Sequence, residues 1–248
     1  DLLIANFGTD VLELMTREGH TRTLHDRIDG QPIGKVNFVL RDRRDRIWLT
    51  ISTRVNPWTQ AASSRVQDGY VAVLDEHGLR VVADGFYFTN EIRLDAQEEW
   101  LYVVETTGPR ISRLRLHEGA QGVQLRDREV FGPSHLGGFP DGIAFDAHGN
   151  LWCTLVMIDQ VIALTPQGDK RLLLDDSTPA TLKAFQDVMP LWTKGGALEI
   201  EVKEQTDTSF TFNVVRCRYA ETYKAMGLGD IGHLLSCNRD GAFSEGYD

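Results

Sequence analysis

The sequence predicts a mainly β protein: about three and a half propeller blades followed by a small α+β segment. Three observations carry this. One punctuation recurs three times, as Gly34-Lys35-Val36-Asn37 running to Ile47-Trp48, Phe88-Thr89-Asn90 to Leu101-Tyr102, and Gly138-Phe139-Pro140-Asp141 to Leu151-Trp152. Asn37 and Asn90 lie 53 positions apart, and Asn90 and Asp141 lie 51 apart. A period of about 50 residues made of short strands and turns is the mark of propeller blades. The runs between these points alternate or stay apolar, as half-buried and buried strands do. The pattern then stops after Asp175-Asp176 and different local signals take over.

Each unit reads in the same order. An Asn or Asp is followed five residues later by Asp, in the pairs Asn37/Asp42, Asn90/Asp95 and Asp141/Asp146. The later Asp of each pair falls in a turn-like stretch such as Asp146-Ala147-His148-Gly149-Asn150 and is assigned to turn geometry. An aliphatic–aromatic pair opens the next strand, and a further strand bounded by Gly and Asp follows, as at Gly69 to Leu74 before Asp75-Glu76-His77-Gly78. Outer strands complete the units at 21–24, 79–83 and 170–174. Leu2-Leu3-Ile4-Ala5 and the run from Asp10 to Met15 match the second half of a unit. The chain opens on Asp1 without an initiator Met, so the natural N-terminus is expected to lie upstream.

Beyond residue 176 the propeller region, 1–176, gives way to a linker with a helix-like run (177–197) and then to an α+β part (198–248). Leu198-Glu199-Ile200-Glu201-Val202-Lys203 and Phe210-Thr211-Phe212-Asn213-Val214 alternate apolar and polar residues across Asp207-Thr208, which predicts a hairpin. A helix over 218–226 is stopped by Gly227, and another is expected near 230–235. The hairpin residues Ile200, Val202, Phe210 and Phe212 are expected to pack on the helix bearing Tyr219 and Tyr223.

Bulk properties narrow the function. The composition, 42% hydrophobic and 25% charged, is that of a soluble globular chain, and the net charge of -10 argues against a nucleic-acid surface. No apolar run approaches the roughly 20 residues of a membrane helix, and no leader pattern precedes Leu2. The compartment stays unknown, with the cytoplasm favoured. Three cysteines, Cys153, Cys217 and Cys237, are too few and too scattered for a disulfide framework. Cys153 lies in an apolar strand and reads as a small core residue. His233 has no partner close in sequence and reads as a surface residue.

Blades share one axis, so equivalent positions converge, and here they hold Asn37, Asn90 and Asp141. Two readings follow. The oxygen donors could hold a hard cation, with Asn90 and Asp141 as ligands and Asn37 as a third ligand or a water-orienting group. Such a cation, with open positions, polarises a carbonyl and acidifies a water. Alternatively the same residues cap turns between blades.

The stretches Gly138 to Trp152 and Asn90 to Gly108 resemble the signature of the SMP-30/gluconolactonase/LRE family, and the resemblance covers about residues 1–176. It implies a six-bladed β-propeller, here partial, that hydrolyses a small-molecule lactone with one divalent cation. Calcium comes first, with zinc, magnesium or manganese as alternatives. It places Asn90 and Asp141 among the metal ligands, Asn37 and Asp141 in catalysis, and Asn37 with Lys35 at the substrate. The family's Glu ligand comes from a blade that would precede Asp1. Where many members carry Asn-Asp or Asn-Gly, this chain has Asn37-Phe38 and Asn90-Glu91. The tail, about 180–248, resembles L-2-amino-thiazoline-4-carboxylic acid hydrolase through 212–221 and 234–240. That resemblance implies opening of a small heterocycle, with Cys217 or Cys237 as nucleophile or ligand and Glu221 and Asp240 as polar partners. A non-catalytic propeller binding module is the third alternative, because fold does not fix function. Neither a nucleic-acid nor a membrane partner is expected, and oligomeric state is not legible.

Overall fold

The computed structural model describes residues 1–158, 160–174, 181–225 and 227. Two compact units divide the chain, 1–175 and 176–248.

The first unit is a partial β-propeller of four larger antiparallel sheets and one two-stranded ribbon. Strands β1 (Leu2–Asn6), β2 (Val11–Met15) and β3 (Thr21–His25) form a three-stranded sheet. The two-residue strands β4 (Arg27–Ile28) and β5 (Gln31–Pro32) make a small ribbon. Three four-stranded meanders follow in sequence order: β6 (Val36–Arg41), β7 (Ile47–Ile51), β8 (Gly69–Asp75) and β9 (Gly78–Phe86); β10 (Thr89–Leu94), β11 (Trp100–Glu105), β12 (Arg110–Gly119) and β13 (Gly122–Phe131); and β14 (Phe139–Phe145), β15 (Leu151–Val156), β16 (Gln160–Leu164) and β17 (Lys170–Leu174). Strand β1 packs against β6 as β7 packs against β10 and β11 against β14. The first sheet thus begins at the second position of a blade.

Alternation along each strand explains the stacking. In β7, Leu49 and Ile51 turn towards the first sheet and join Leu12, Ile33 and Tyr70. Trp48 turns the other way and packs with Ile92, Leu101 and Val103 of the third sheet. In β11, Tyr102 and Val104 repeat this outward step against Ile143, Leu151 and Leu155 of the fourth sheet. Apolar residues on both faces of the middle blades therefore build three cores between four sheets. Trp152 holds the equivalent position in the fourth sheet, and it is 39% exposed where Trp48 is 0% and Tyr102 is 6%.

The recurring Asp residues make the turns between first and second strands. One Asp42 carboxylate oxygen accepts from the amides of Arg44 and Arg46, both at 2.9 Å, while the other accepts from the Trp48 indole at 2.8 Å. Asp146 repeats this with His148, Asn150 and the Trp152 indole. Asp95 accepts from the amides of Glu99 and Trp100. Their spacing is a folding device, not a ligand set.

The second unit contains α1 (Leu182–Thr193), the hairpin β18 (Leu198–Gln205) and β19 (Phe210–Cys217), and α2 (Arg218–Ala225). Among the described residues, the hairpin's ring contacts run to α1, where the sequence suggested the helix bearing Tyr219 and Tyr223. Phe185 of α1 meets Phe210 edge to face at 6.1 Å, and Phe212 stacks behind at 5.3 Å. Tyr219 of α2 is 56% exposed and Val202 is 46% exposed. Part of the segment read as a linker is thus the helix that covers the hairpin's aromatic face. Among the described residues, no helix is long and apolar enough to cross a membrane.

Candidate functional site

The recurring Asn, Asn and Asp sit on the first strands of three successive sheets, each at a β-bulge. Val36 pairs with Ile51 and Phe38 with Thr50, so Asn37 is the extra residue. Thr89 pairs with Glu105 and Ile92 with Val103, and Pro140 pairs with Leu155 and Ile143 with Cys153. Each pair of anchors holds one residue too many on the inner strand. A bulge bends the strand and re-aims side chains, which is why bulges gather beside sites. The same irregularity at the same blade position three times over directs Asn37, Asn90 and Asp141 by a common device.

Asn90 and Asp141 are in direct contact. The Asn90 amide donates to a carboxylate oxygen of Asp141 and to Thr106 Oγ1 at 3.3 Å. Thr106 Oγ1 in turn donates to the carbonyl of Pro140 at 2.8 Å. Asn37 connects through a relay: its amide donates to Ser52 Oγ at 2.9 Å, and Ser52 donates to the carbonyl of Thr89, beside Asn90, at 2.6 Å. Thr50 bonds the Asn90 carbonyl at 2.6 Å. All three polar residues are half-buried. A carboxylate and a hydroxyl joined through one amide are hard donors, and this chemistry fits calcium, magnesium or a similar ion. Among the described residues, no three His, Cys, Asp or Glu side chains form a metal cluster; the donor set here mixes amide and carboxylate.

Glu91, next to Asn90, was not among the residues the sequence singled out as site members. Its side chain is 14% exposed and ion-pairs with Arg93. Its other oxygen accepts from the Ile143 amide at 3.1 Å, across the gap between sheets. The preceding amide, Gly142, donates to Thr154 Oγ1 at 2.9 Å. A Cβ on Gly142 would lie 3.2 Å from the Glu91 carboxylate, tighter than ordinary contact, so glycine suits this position. Burial pushes the Glu91 carboxyl above its ordinary range. Arg93 and the Ile143 amide pull the other way, and the Asp141 charge adds to the rise. The one sequence signal was the unusual Asn90-Glu91 pair.

Lys35 is 14% exposed and ion-pairs with Asp10 at 2.7 Å, while its ammonium donates to the Phe7 carbonyl at 3.2 Å. Gly34 before it has φ +88°, and a Cβ there would meet the Thr53 carbonyl at 2.6 Å, so the turn into Lys35 requires glycine. Phe7, Trp58 and Phe88 gather beside this pair, with ring centroids 5.5–6.5 Å apart. Cys153 is 1% exposed, and burial pushes its thiol up to about 12.

In the second unit, Cys217 is a half-buried free thiol at the end of β19. The Glu221 carboxylate is held by Arg216 at 2.7 and 3.1 Å, and Arg216 also reaches Glu199 at 3.0 Å. Cys237, Asp240 and His233 lie outside the described residues.

Sheets stacked as blades, each opening on a strand bulged at the same position, define a partial β-propeller. The chain belongs to the SMP-30/Gluconolactonase/LRE-like family, whose model matches residues 1–183. A second model, L-2-amino-thiazoline-4-carboxylic acid hydrolase, matches residues 158–248 and overlaps the first. No curated protein matches the chain. Among solved structures, a gluconolactonase of Xanthomonas campestris is 22% identical with a TM-score of 0.58, covering 71% of this chain and 58% of its own. Regucalcin of Agrobacterium tumefaciens, described as a calcium-binding protein, is 21% identical with a TM-score of 0.54, covering 69% of this chain and 55% of its own. The chain thus spans less than two thirds of these two structures, and at these identities the likeness establishes the fold.

Proposed function

We propose that the first unit carries the site of a divalent-metal-dependent lactone hydrolase. The observation that carries this reading is the direct contact of Asn90 with Asp141 across two sheets, each residue aimed by a bulge. Asn90 and Asp141 would hold the ion, with Asp141 supplying the formal charge. When bound, a hard divalent cation polarises a lactone carbonyl and acidifies a water. Calcium is favoured because amide and carboxylate oxygens suit it and because a structural relative is described as calcium-binding.

The chain's own residues do the positioning. Asn37, fixed by Ser52, offers an amide to orient a lactone oxygen or the attacking water. Lys35 would contact the substrate if the Asp10 pair opens or if a substrate oxygen joins it. Thr106 holds Asn90 from one side and the Pro140 carbonyl from the other, so the two ligand-bearing strands keep their spacing. The test is hydrolysis of a simple aldonolactone by the full chain with and without added calcium. Asp141→Ala should abolish ion binding and turnover together. Turnover undiminished by this substitution would overturn the reading.

The match of residues 158–248 to the thiazoline-ring hydrolase model supports a second reading, in which the tail opens a thiazoline ring with Cys217 or Cys237 as nucleophile. Consumption of 2-aminothiazoline-4-carboxylate that survives Asp141→Ala but fails in Cys217→Ser or Cys237→Ser would favour it.

A further inference from the structure

We infer that Glu91 is a positioning residue for Asp141. Its carboxylate, clamped by Arg93, grips the amide two residues beyond Asp141 and so fixes the bulge that turns Asp141 towards Asn90. The inference rests on the reading of Asn90 and Asp141 as a cation site.

Two amides follow Asp141, and a side-chain oxygen holds each. Thr154 from the same sheet takes Gly142, and Glu91 from the neighbouring sheet takes Ile143. The two grips differ in reach. Thr154 ties β14 to its own partner β15, whereas Glu91 ties β14 to β10, the strand that carries Asn90. The bond that orders the Asp141 bulge therefore starts one residue from the other proposed ligand. Arg93 pins the second Glu91 oxygen, which leaves the carboxylate little freedom to swing away. Gly142 leaves room for it: the carboxylate occupies space that a side chain there would crowd, at 3.2 Å from the Cβ position. Groups behind ligating carboxylates commonly control metal affinity by holding the ligand in one orientation.

Calcium affinity, measured by titration calorimetry on the full chain, is the first readout. Glu91→Ala should weaken binding by about 10–100-fold, the range seen when a group supporting a ligand is lost. Glu91→Gln keeps an acceptor for Ile143 and should hold affinity within about threefold, while Glu91→Asp, a milder change for folding, loses the reach and should follow Ala. Amide exchange at Ile143 is the second readout and needs no ion. Loss of this charge-assisted hydrogen bond should speed it at least about tenfold in Ala and Asp, with Gln, which keeps a neutral acceptor, changed by less than either. Wild-type affinity in Glu91→Ala and Glu91→Asp would overturn the inference, and so would unchanged Ile143 exchange. Failure of the wild-type chain to bind calcium, magnesium, manganese or zinc would sink the cation reading instead. The positioning of the bulge would then stand or fall on the exchange result.

Discussion

Glu105 shows how a single residue can tie two blades together. Its carboxylate is fully buried and accepts from Arg110 at 3.0 and 3.1 Å, Ser112 at 2.5 Å, the Tyr87 amide at 3.1 Å and Arg128 at 3.1 Å. Arg128 also grips the carbonyls of Asp84 and Gly85 and lies 3.8 Å over the Phe86 ring, so the cluster joins β13 to the end of β9. Burial alone would raise the Glu105 carboxyl, but the hydrogen bonds from Arg110, Ser112 and Tyr87 outweigh it and the net shift is downward. A lowered carboxyl stabilises the fold above the unfolded value of 4.5 and loses that contribution as pH falls through its folded value. Glu105→Gln should cost about 3–5 kcal/mol at pH 7, because it leaves two guanidinium groups short of their counter-charge. Urea denaturation between pH 3 and 7 should show the gap to wild type closing below pH 4.5; a gap independent of pH would refute the assignment. A thiol at the same scale gives a simpler expectation. Cys153, buried and with its pKa pushed up to about 12, should resist iodoacetamide in the native protein at pH 8 and react only after unfolding, as read by peptide mass mapping.

At the scale of elements, the same strand position meets two environments. Trp48 fills the core between the second and third sheets, while Trp152 is 39% exposed. Trp48→Ala should therefore cost about 3–5 kcal/mol. Trp152→Ala should cost about 1 kcal/mol, mainly the bond from its indole to Asp146. Equal costs in thermal denaturation would mean that the fourth sheet is covered in solution. The repeat made the blades legible because period-2 alternation and Asp–Gly turns are local signals, written in Ile47-Trp48 and Leu151-Trp152 as plainly as in the fold. The bulges were not legible. An extra residue at Asn37, Asn90 or Asp141 becomes visible only against the register of the partner strand, and one chain's sequence does not carry that register. Glu91 escaped for the same reason, since its partner Ile143 lies 52 residues away on another sheet. The pairing of the hairpin with α1 is not legible because Phe185 is the lone aromatic of the helix-like run 179–185, and its match to Phe210 depends on tertiary packing.

The whole molecule divides into two compact units. Residues 1–175 stack sheets around three apolar clusters, and residues 176–248 set an aromatic hairpin face on α1. The parts differ in size and in what limits them. The first buries whole strands such as 101–104 in β11, whereas among the described residues of the second only Phe185, 8% exposed, and Met189, 4% exposed, are buried. Small cores are marginal because a small unit buries a lower fraction of its surface. Calorimetry of the full chain should accordingly show two transitions, the smaller at lower temperature. Phe185→Ala should remove about 3 kcal/mol or more from the second unit. In a unit of this size each kcal/mol shifts the midpoint by about 4–8 °C, so its transition should fall by more than about 10 °C or vanish. The first transition should stay in place and should respond instead to Trp48→Ala. A single transition that moves as one with either substitution would show that the two units fold as one cooperative body.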